Sequence, residues 1–416
     1  MLKHYLVLAT KVLLRRKFFT FISLFGISFT LLVLMVVTAF FDHSLGPHPV
    51  EPQQDRTLYV EGAVMYGPHS TWSSNGGFKL FDKYARNLPG AERLSIYEGG
   101  RTVYSYINGR KIASSMKRTD GEFWQILNFT FLEGSGFSNQ DTAEARFVAV
   151  INETTRQRLF DGRPATGQSF EADGQRFRVI GVVTDVSEMR IVPSADIWVP
   201  YTTAKTDAYK QEMMGGFNAM VLARDKASME QIHDEFNSRL LRAEVPEPKY
   251  YKSIVAPFET KFEALARMMP TGDRKDPERQ TWKFVGFLAT LAFLFLLIPT
   301  VNLVNINISR IMERASEIGV RKAFGAPART LVGQFLVENI LLTFVGGLIG
   351  YVLSVLALRA FTQSGVVSYA HFALNLRVFG YGMALAVAFG ILSGVYPAWR
   401  MSRLNPVDAL KGGVSR

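Results

Sequence analysis

Four stretches of the chain are apolar over lengths that suit a lipid bilayer: Phe18–Phe41, Phe284–Ile308, Leu331–Leu358 and Val378–Trp399. Three of them hold no charge, and the third holds only Glu338, near its start. A helix needs about 20 predominantly apolar residues to cross the hydrocarbon. Each stretch therefore predicts a transmembrane helix, and the rest of the chain predicts none. The first stretch also has the basic lead of a signal peptide, in Lys11 and Arg15–Lys17. Its apolar run is longer than the roughly 7–15 residues of a signal core, and no small-x-small cleavage site follows at Asp42. An uncleaved helix is the reading adopted.

Between the first two spans, residues 42–280 change to short alternating segments bounded by Gly, Pro, Asn and Asp, the pattern of strands and turns. Strands are predicted at Arg56–Val60, Arg93–Tyr97, Arg101–Ile107 and Lys111–Lys117, with Asn108-Gly109 as a hairpin turn. Phe78–Asn87 predicts a short amphipathic helix. A second group follows: strand Phe147–Ile151, helix Glu153–Phe160, a hairpin of Ser169–Ala172 and Arg176–Val183 across Asp173-Gly174, and strand Asp196–Pro200. Strand Phe217–Ala223, helix Met229–Leu241 and strand Tyr250–Ala256 then resume the first pattern. The expected fold is a membrane α-helical protein with four transmembrane helices and an α+β extracytoplasmic domain, interrupted by a β-rich insertion at about 140–215.

Charge supplies the orientation. The 416 residues carry a net charge of +11, and the basic residues flank the apolar stretches. Lys3, Lys11, Arg15, Arg16 and Lys17 precede the first span; Arg310, Arg314, Arg321, Lys322 and Arg329 lie between the second and third; Arg400, Arg403, Lys411 and Arg416 follow the fourth. The positive-inside rule puts both termini (1–17 and 400–416) and the loop 309–330 in the cytoplasm, and residues 42–280 outside. The charge forms no single patch, so nucleic-acid binding is rejected. With no cysteine, disulfides and cysteine-ligated metals are excluded.

Candidate chemistry is sparse. His43 and His48 sit in a Pro-rich exit from the first span and read as solvated, His69 and His233 are isolated, and Trp72, Trp124 and Trp198 read as core. Asp82, Asp120, Glu122 and Asp185 show no paired-carboxylate spacing. There is no G-x-S-x-G, H-E-x-x-H or Walker A pattern. No catalytic, cofactor-binding or metal residue is expected, and the chain is not expected to be an enzyme by itself.

The loop after the second span is more informative. Ser309–Ala326 has helical spacing, with Glu313, Glu317 and Arg321 in one charged row, Gly325 as a stop and Pro327 to start the next helix. Gly346 and Gly350, and likewise Gly390 and Gly394, are four apart and predict close helix packing. Asn302, Asn305 and Asn307, below Pro299, are expected to face other helices or headgroups.

The run from Glu317 to Ala326 (EIGVRKAFGA), followed by Gln334-Phe335-Leu336-Val337-Glu338, resembles the E-I-G-[IV]-R-K-A-[LF]-G-A … Q-F-L-x-E signature of MacB/FtsX-type ABC transporter permeases. Tyr396-Pro397-Ala398 and Asn405–Leu410 resemble the family's closing Y-P-A … P-V-x-A-L. Thr119–Gly134 and Phe147–Val183, ending at Trp198-Val199-Pro200-Tyr201, look like its periplasmic core domain. The resemblance implies a porter-like subdomain with the insertion as a second subdomain. It makes 309–330 a coupling helix loop, with Glu313, Glu317, Ile318, Gly319, Arg321, Lys322 and Gly325 as ATPase-coupling residues. It implies a cell inner (plasma) membrane location and mechanotransmission: a cytoplasmic ABC ATPase dimer, expected as a separate chain, binds the ATP, and the motion serves export or extraction of substrate. A second permease copy or a paralogue is a further expected partner, and a periplasmic adaptor with an outer-membrane channel is compatible with it. Gly46-Pro47 and Pro49 should stop the first helix early, against a tall stalk. The alternatives are a signalling or scaffold protein acting on cell-envelope partners and a lipoprotein-releasing permease, whose loop motif differs.

Overall fold

The computed structural model describes residues 15, 17–107, 110–268, 277–313 and 328–402. The first helix, α1 (Lys17–Leu45), is apolar on every side and ends where Gly46-Pro47 cannot continue it. Residues 44–284 with 367–370 form one compact unit, the α+β domain, and the long helices form another.

The domain opens with β1 (Thr57–Val60), β2 (Ala63–Tyr66), β3 (Thr71–Gly76), helix α2 (Phe78–Tyr84) and β4 (Ala91–Glu98). The long hairpin β5 (Arg101–Ile107) and β6 (Arg110–Thr119) follows, then α3 (Gly121–Ile126), β7 (Phe131–Gly134) and α4 (Asn139–Ala143). Next come β8 (Val148–Asn152), α5 (Glu153–Phe160), β9 (Ser169–Ala172), β10 (Gln175–Val183) and β11 (Ile197–Pro200). The chain returns through β12 (Met214–Gly215), β13 (Phe217–Ala223), α6 (Ser228–Leu241), β14 (Ser253–Val255) and α7 (Lys261–Arg267). Local chemistry explains much of this. The Asn152 side chain accepts from Thr155 N at 2.8 Å and starts α5. Asp173 and Gly174 both take positive φ (55° and 69°), as the tight turn between β9 and β10 requires.

Among the described residues, two seven-stranded sheets result. The first is antiparallel, in the order β1-β13-β3-β2-β14, with β12 on β3 and β4 on β13. The second runs β5-β6-β11-β8-β10-β7, with β9 on β10; β6–β11 and β8–β10 are its parallel pairs. The second sheet therefore begins at Arg101, ahead of the boundary near 140 expected from alternation alone. Hairpin β5–β6 is placed there by its pairing with β11, about eighty positions later in the chain (Met116 with Ile197).

Three cores follow from the alternation of side chains. Leu58, Val60, Ala219 and Val221 face helices α2 and α6, which contribute Phe81, Ile232 and Phe236. The opposite face of the first sheet offers Tyr59, Tyr97, Met220 and Leu222 to Val148, Val150 and Trp198 of the second. Ala149, Ile151, Val179 and Val199, on the second sheet's far face, pack with Leu159 and Phe160 of α5. Complete burial of a large apolar side chain stabilises by about 1.5–3 kcal/mol. The middle core thus packs the two sheets against each other. Trp198 is buried in it and Trp124 packs on its edge, but Trp72 is 43% exposed beside Tyr251, so the core expectation fails for Trp72.

The helical unit is completed by α8 (Pro277–Glu313), α9 (Ala328–Ser364) and α10 (Leu376–Ser402). Among the described residues, two helical segments are long and apolar enough to cross a membrane, Lys17–Leu45 and Leu336–Ser364; Gln280–Phe295 and Leu376–Leu392 are shorter apolar segments.

Candidate functional site

The sequence-predicted coupling segment is described only at its edge. Glu313 is the last residue of α8, and the chain is described again from Ala328. Glu317, Ile318, Gly319, Arg321, Lys322 and Gly325 lie outside the described residues, as does Asn108-Gly109. Asn302, Asn305 and Asn307 fall within α8.

The predicted packing glycines are mostly visible. A Cβ on Gly346 would lie 2.9 Å from Ile27 Cγ2, and one on Gly350 would lie 3.0 Å from the Ser28 carbonyl oxygen. Both face α1. A Cβ on Gly390 would meet Thr343 Oγ1 at 2.8 Å, so that glycine brings α10 onto α9. Gly394 lies further along α10. Gly347, which no i, i+4 pairing singles out, faces Met383 of α10. Polar side chains close the same seam: Asn339 Nδ2 donates to the Gly390 carbonyl at 3.4 Å, and Thr343 Oγ1 donates to the Asn339 carbonyl at 2.9 Å. Glu338 is buried alongside.

A second constellation, invisible in the linear pattern, lies in the α+β domain. Arg190 Nη1 donates to Glu51 Oε2 at 2.8 Å, both side chains being 1% exposed, and the other Glu51 oxygen accepts from Lys261 Nζ. Lys117 Nζ, near the end of β6, donates to the carbonyls of Ile191 (2.7 Å) and Val192 (2.6 Å). Burial pulls its pKa down to about 7, with Glu61 and Glu51 opposing. Arg267 Nε donates to Glu259 Oε2 at 2.7 Å, yet burial still pushes the Glu259 carboxyl up to about 7. Asp120 joins the second sheet to β4 of the first: it accepts from Ser95 Oγ (2.7 Å) and Ile96 N (2.8 Å) while capping α3 through Phe123 N (3.0 Å). Among the described residues, the buried phenol of Tyr97 has no hydrogen-bond partner. Sequence reasoning missed Glu51, Arg190 and Lys261 because nothing near any of them marks it as buried.

His48 Nδ1 accepts from Val50 N at 3.2 Å, and the His43 ring lies 5.1 Å from that of Phe372. His43 and His48 thus take different surroundings, and no group of three or more His, Cys, Asp or Glu side chains among the described residues is arranged to hold a metal.

Two sequence families match in tandem. The MacB-like periplasmic core domain matches residues 20–239, more than half the chain, and the FtsX-like permease C-terminal matches residues 289–406. The chain belongs to the MacB/FtsX family of ABC transporter permeases. Among MacB relatives, the macrolide export ATP-binding/permease protein MacB of Marinobacter nauticus is 29% identical over 314 residues, which is 75% of this chain and 45% of that protein. The protein of the same description from Escherichia coli K12 is 28% identical over 309 residues, 73% of this chain and 44% of that one. The chain thus spans less than half the length of these MacB proteins. Two solved structures are similar. The extracellular domain of the noncanonic ABC-type transporter YknZ from Gram-positive bacteria has a TM-score of 0.37 at 12% identity, covering 48% of this chain and 98% of that one. The periplasmic region of MacB from Actinobacillus actinomycetemcomitans has a TM-score of 0.37 at 13% identity, covering 52% and 94%. Within this MacB/FtsX chain, Glu51, Lys117 and Arg190 fall inside the periplasmic-core match, whereas Lys261 lies between the two matches.

Proposed function

We propose that this chain is the permease subunit of an ABC transporter, with four transmembrane helices, the α+β domain outside the membrane, and both termini and the 309–330 loop in the cytoplasm. A separate ATPase dimer binds and hydrolyses ATP, docks on the loop helix through Glu313, Glu317, Ile318, Gly319, Arg321, Lys322 and Gly325, and drives the α+β domain. The work done is export or extraction of a substrate on the outer side of the membrane. The chain itself is not the enzyme and holds no cofactor. The observation that carries this reading is the tandem match, a MacB-like core followed by an FtsX-like permease region, on a chain whose folded domain is inserted between long apolar helices. Basic residues on one side of those helices supply the orientation.

The test uses the full-length permease in nanodiscs. Gly319→Leu and Glu317→Arg should leave it inserted and folded but abolish co-purification with, or stimulation of, its ATPase. If both variants bind and stimulate the ATPase like the parent, the loop helix is not the coupling element. The absence of cysteine allows a topology test beside it. Asn139→Cys should react with an impermeant thiol reagent on intact spheroplasts, and Ser415→Cys should not; the reverse result overturns the orientation.

A further inference from the structure

The loop Ser187–Asp196 between β10 and β11 contains no helix or strand, yet side chains and backbone tie it to all the segments by which the α+β domain continues into the helices. Arg190 holds the exit segment twice, through the Gly46 carbonyl at 3.0 Å and through Glu51 at 2.8 Å. Glu51 in turn holds Lys261, the first residue of α7, on the return path to α8. Glu188 N donates to the Ser368 carbonyl at 3.2 Å, and Asp196 Oδ1 accepts from the Tyr369 hydroxyl at 3.0 Å, both partners lying in the turn between α9 and α10. Tyr369 has φ of 58°, a left-handed backbone that a bulky residue adopts only when its surroundings hold it there.

The exit segment is itself firmly held. Gln54 Nε2 donates to the Leu45 carbonyl at 2.7 Å, Asn128 N donates to the Val50 carbonyl at 2.9 Å, and Tyr59 and Glu259 exchange backbone bonds of 2.7 and 2.9 Å. On its other side the loop is fastened to β6 of the second sheet by Lys117. A buried ion pair contributes little net stability compared with well-packed apolar groups of the same volume, since both charges lose their hydration. Its few partners and directional geometry suit it to holding the segments in one register. We propose that the Arg190–Glu51–Lys261 triad is a positioning joint, which transmits displacement of the exit and return segments to the Ser187–Asp196 loop and so to the second sheet. This rests on the reading of the chain as an ATP-driven permease.

The test is hydrogen exchange on the full-length permease in nanodiscs with its co-purified ATPase, nucleotide-free against ATP–vanadate. In the parent, the amides of residues 187–196 should differ between the two states by roughly threefold or more in exchange rate. The variant Glu51→Leu/Arg190→Met/Lys261→Met replaces the ions with apolar groups of similar volume. It should fold and turn over ATP within about twofold of the parent, but its loop should no longer respond to nucleotide. Lys261→Arg, which keeps the charge, should retain the response. If the triple variant does not fold, Lys261→Met alone is read in the same way. A triple variant that keeps the parent's nucleotide response overturns the joint and leaves the transporter reading intact. A parent with no nucleotide response anywhere in residues 44–284 overturns the transporter reading, and the joint with it.

Discussion

The helical unit and the α+β domain solve the same packing problem with opposite chemistry. Among the described residues of the helical unit, glycines let the helices approach closely, Gly350 against the Ser28 carbonyl and Gly346, Gly347 and Gly390 against the side chains of Ile27, Met383 and Thr343, and the buried polar side chains are small or amide except for Glu338. Large apolar side chains such as Phe21, Phe25 and Phe29 are left exposed. The α+β domain turns its large apolar groups inward and also buries Glu51, Lys117, Arg190 and Asp120. The difference follows from the solvent each part suits. Lipid tails are as apolar as leucine, so helices in a bilayer gain little by hiding leucine and associate where small residues allow close approach. In water, apolar burial drives the fold, and the surplus can carry charged groups whose value is positional.

The largest expected effect breaks the charged side of this contrast. Arg190→Ala strands half of the Glu51 carboxylate in the interior, and should cost about 3–5 kcal/mol in urea unfolding of the full-length protein followed by tryptophan fluorescence. A loss below about 1 kcal/mol would mean that the triad is not buried as described. Next comes the helical side. Gly350→Leu must displace backbone and should cost about 1–3 kcal/mol, read as a lowered melting temperature in detergent. On Gly390 the added Cβ meets a side-chain hydroxyl, Thr343 Oγ1, rather than backbone, so Gly390→Leu should cost less, and Gly380→Leu, with nothing within 4 Å of its Cβ position among the described residues, should cause no loss. Equal losses at all three positions would show that position-specific packing is not what the glycines provide.

A pH series sharpens the contrast further. Lys117 titrates at about 7 when folded, below its ordinary 10.5. Between those values the unfolded chain binds more protons, so this group's contribution to stability rises with pH from about 7 towards 10. Lys117→Met should flatten that limb by a few degrees of melting temperature; an unchanged slope would place the ammonium in water. The smallest effect belongs to the surface. Arg163 and Asp161 pair at 3.3 Å with side chains 75% and 80% exposed, and Arg163→Ala should leave the melting temperature unchanged within error.

Much of the fold was decided locally, and that part was legible. Phe217–Ala223 is apolar at every position but Asn218 and became a strand buried on both faces; Glu153–Phe160 starts at its asparagine cap; the Asp173-Gly174 turn lies where left-handed φ is cheapest. Elements with weak patterns were not legible: β2 and β3, whose exposed Thr71–Ser73 carry no alternation, and the short α3, β7, α4 and α7. Of the candidate site, the loop run from Glu317 to Gly325 lies outside the described residues; Gly346, Gly350 and Gly390 could be singled out because each i, i+4 pair is a short pattern with its own spacing. The charged joint could not. Glu51 meets Arg190 across 139 residues and Lys261 across 210, and each of the three sits in a stretch that reads as ordinary solvated chain. Sequence alone determined the strongly patterned helices, strands and apolar spans, because those choices rest on side-chain period and backbone preference within a few residues. Only the tertiary structure decided that hairpin β5–β6 belongs to the second sheet and that one carboxylate is shared by two distant cations, because pairing register and burial are properties of segments brought together, not of any one of them.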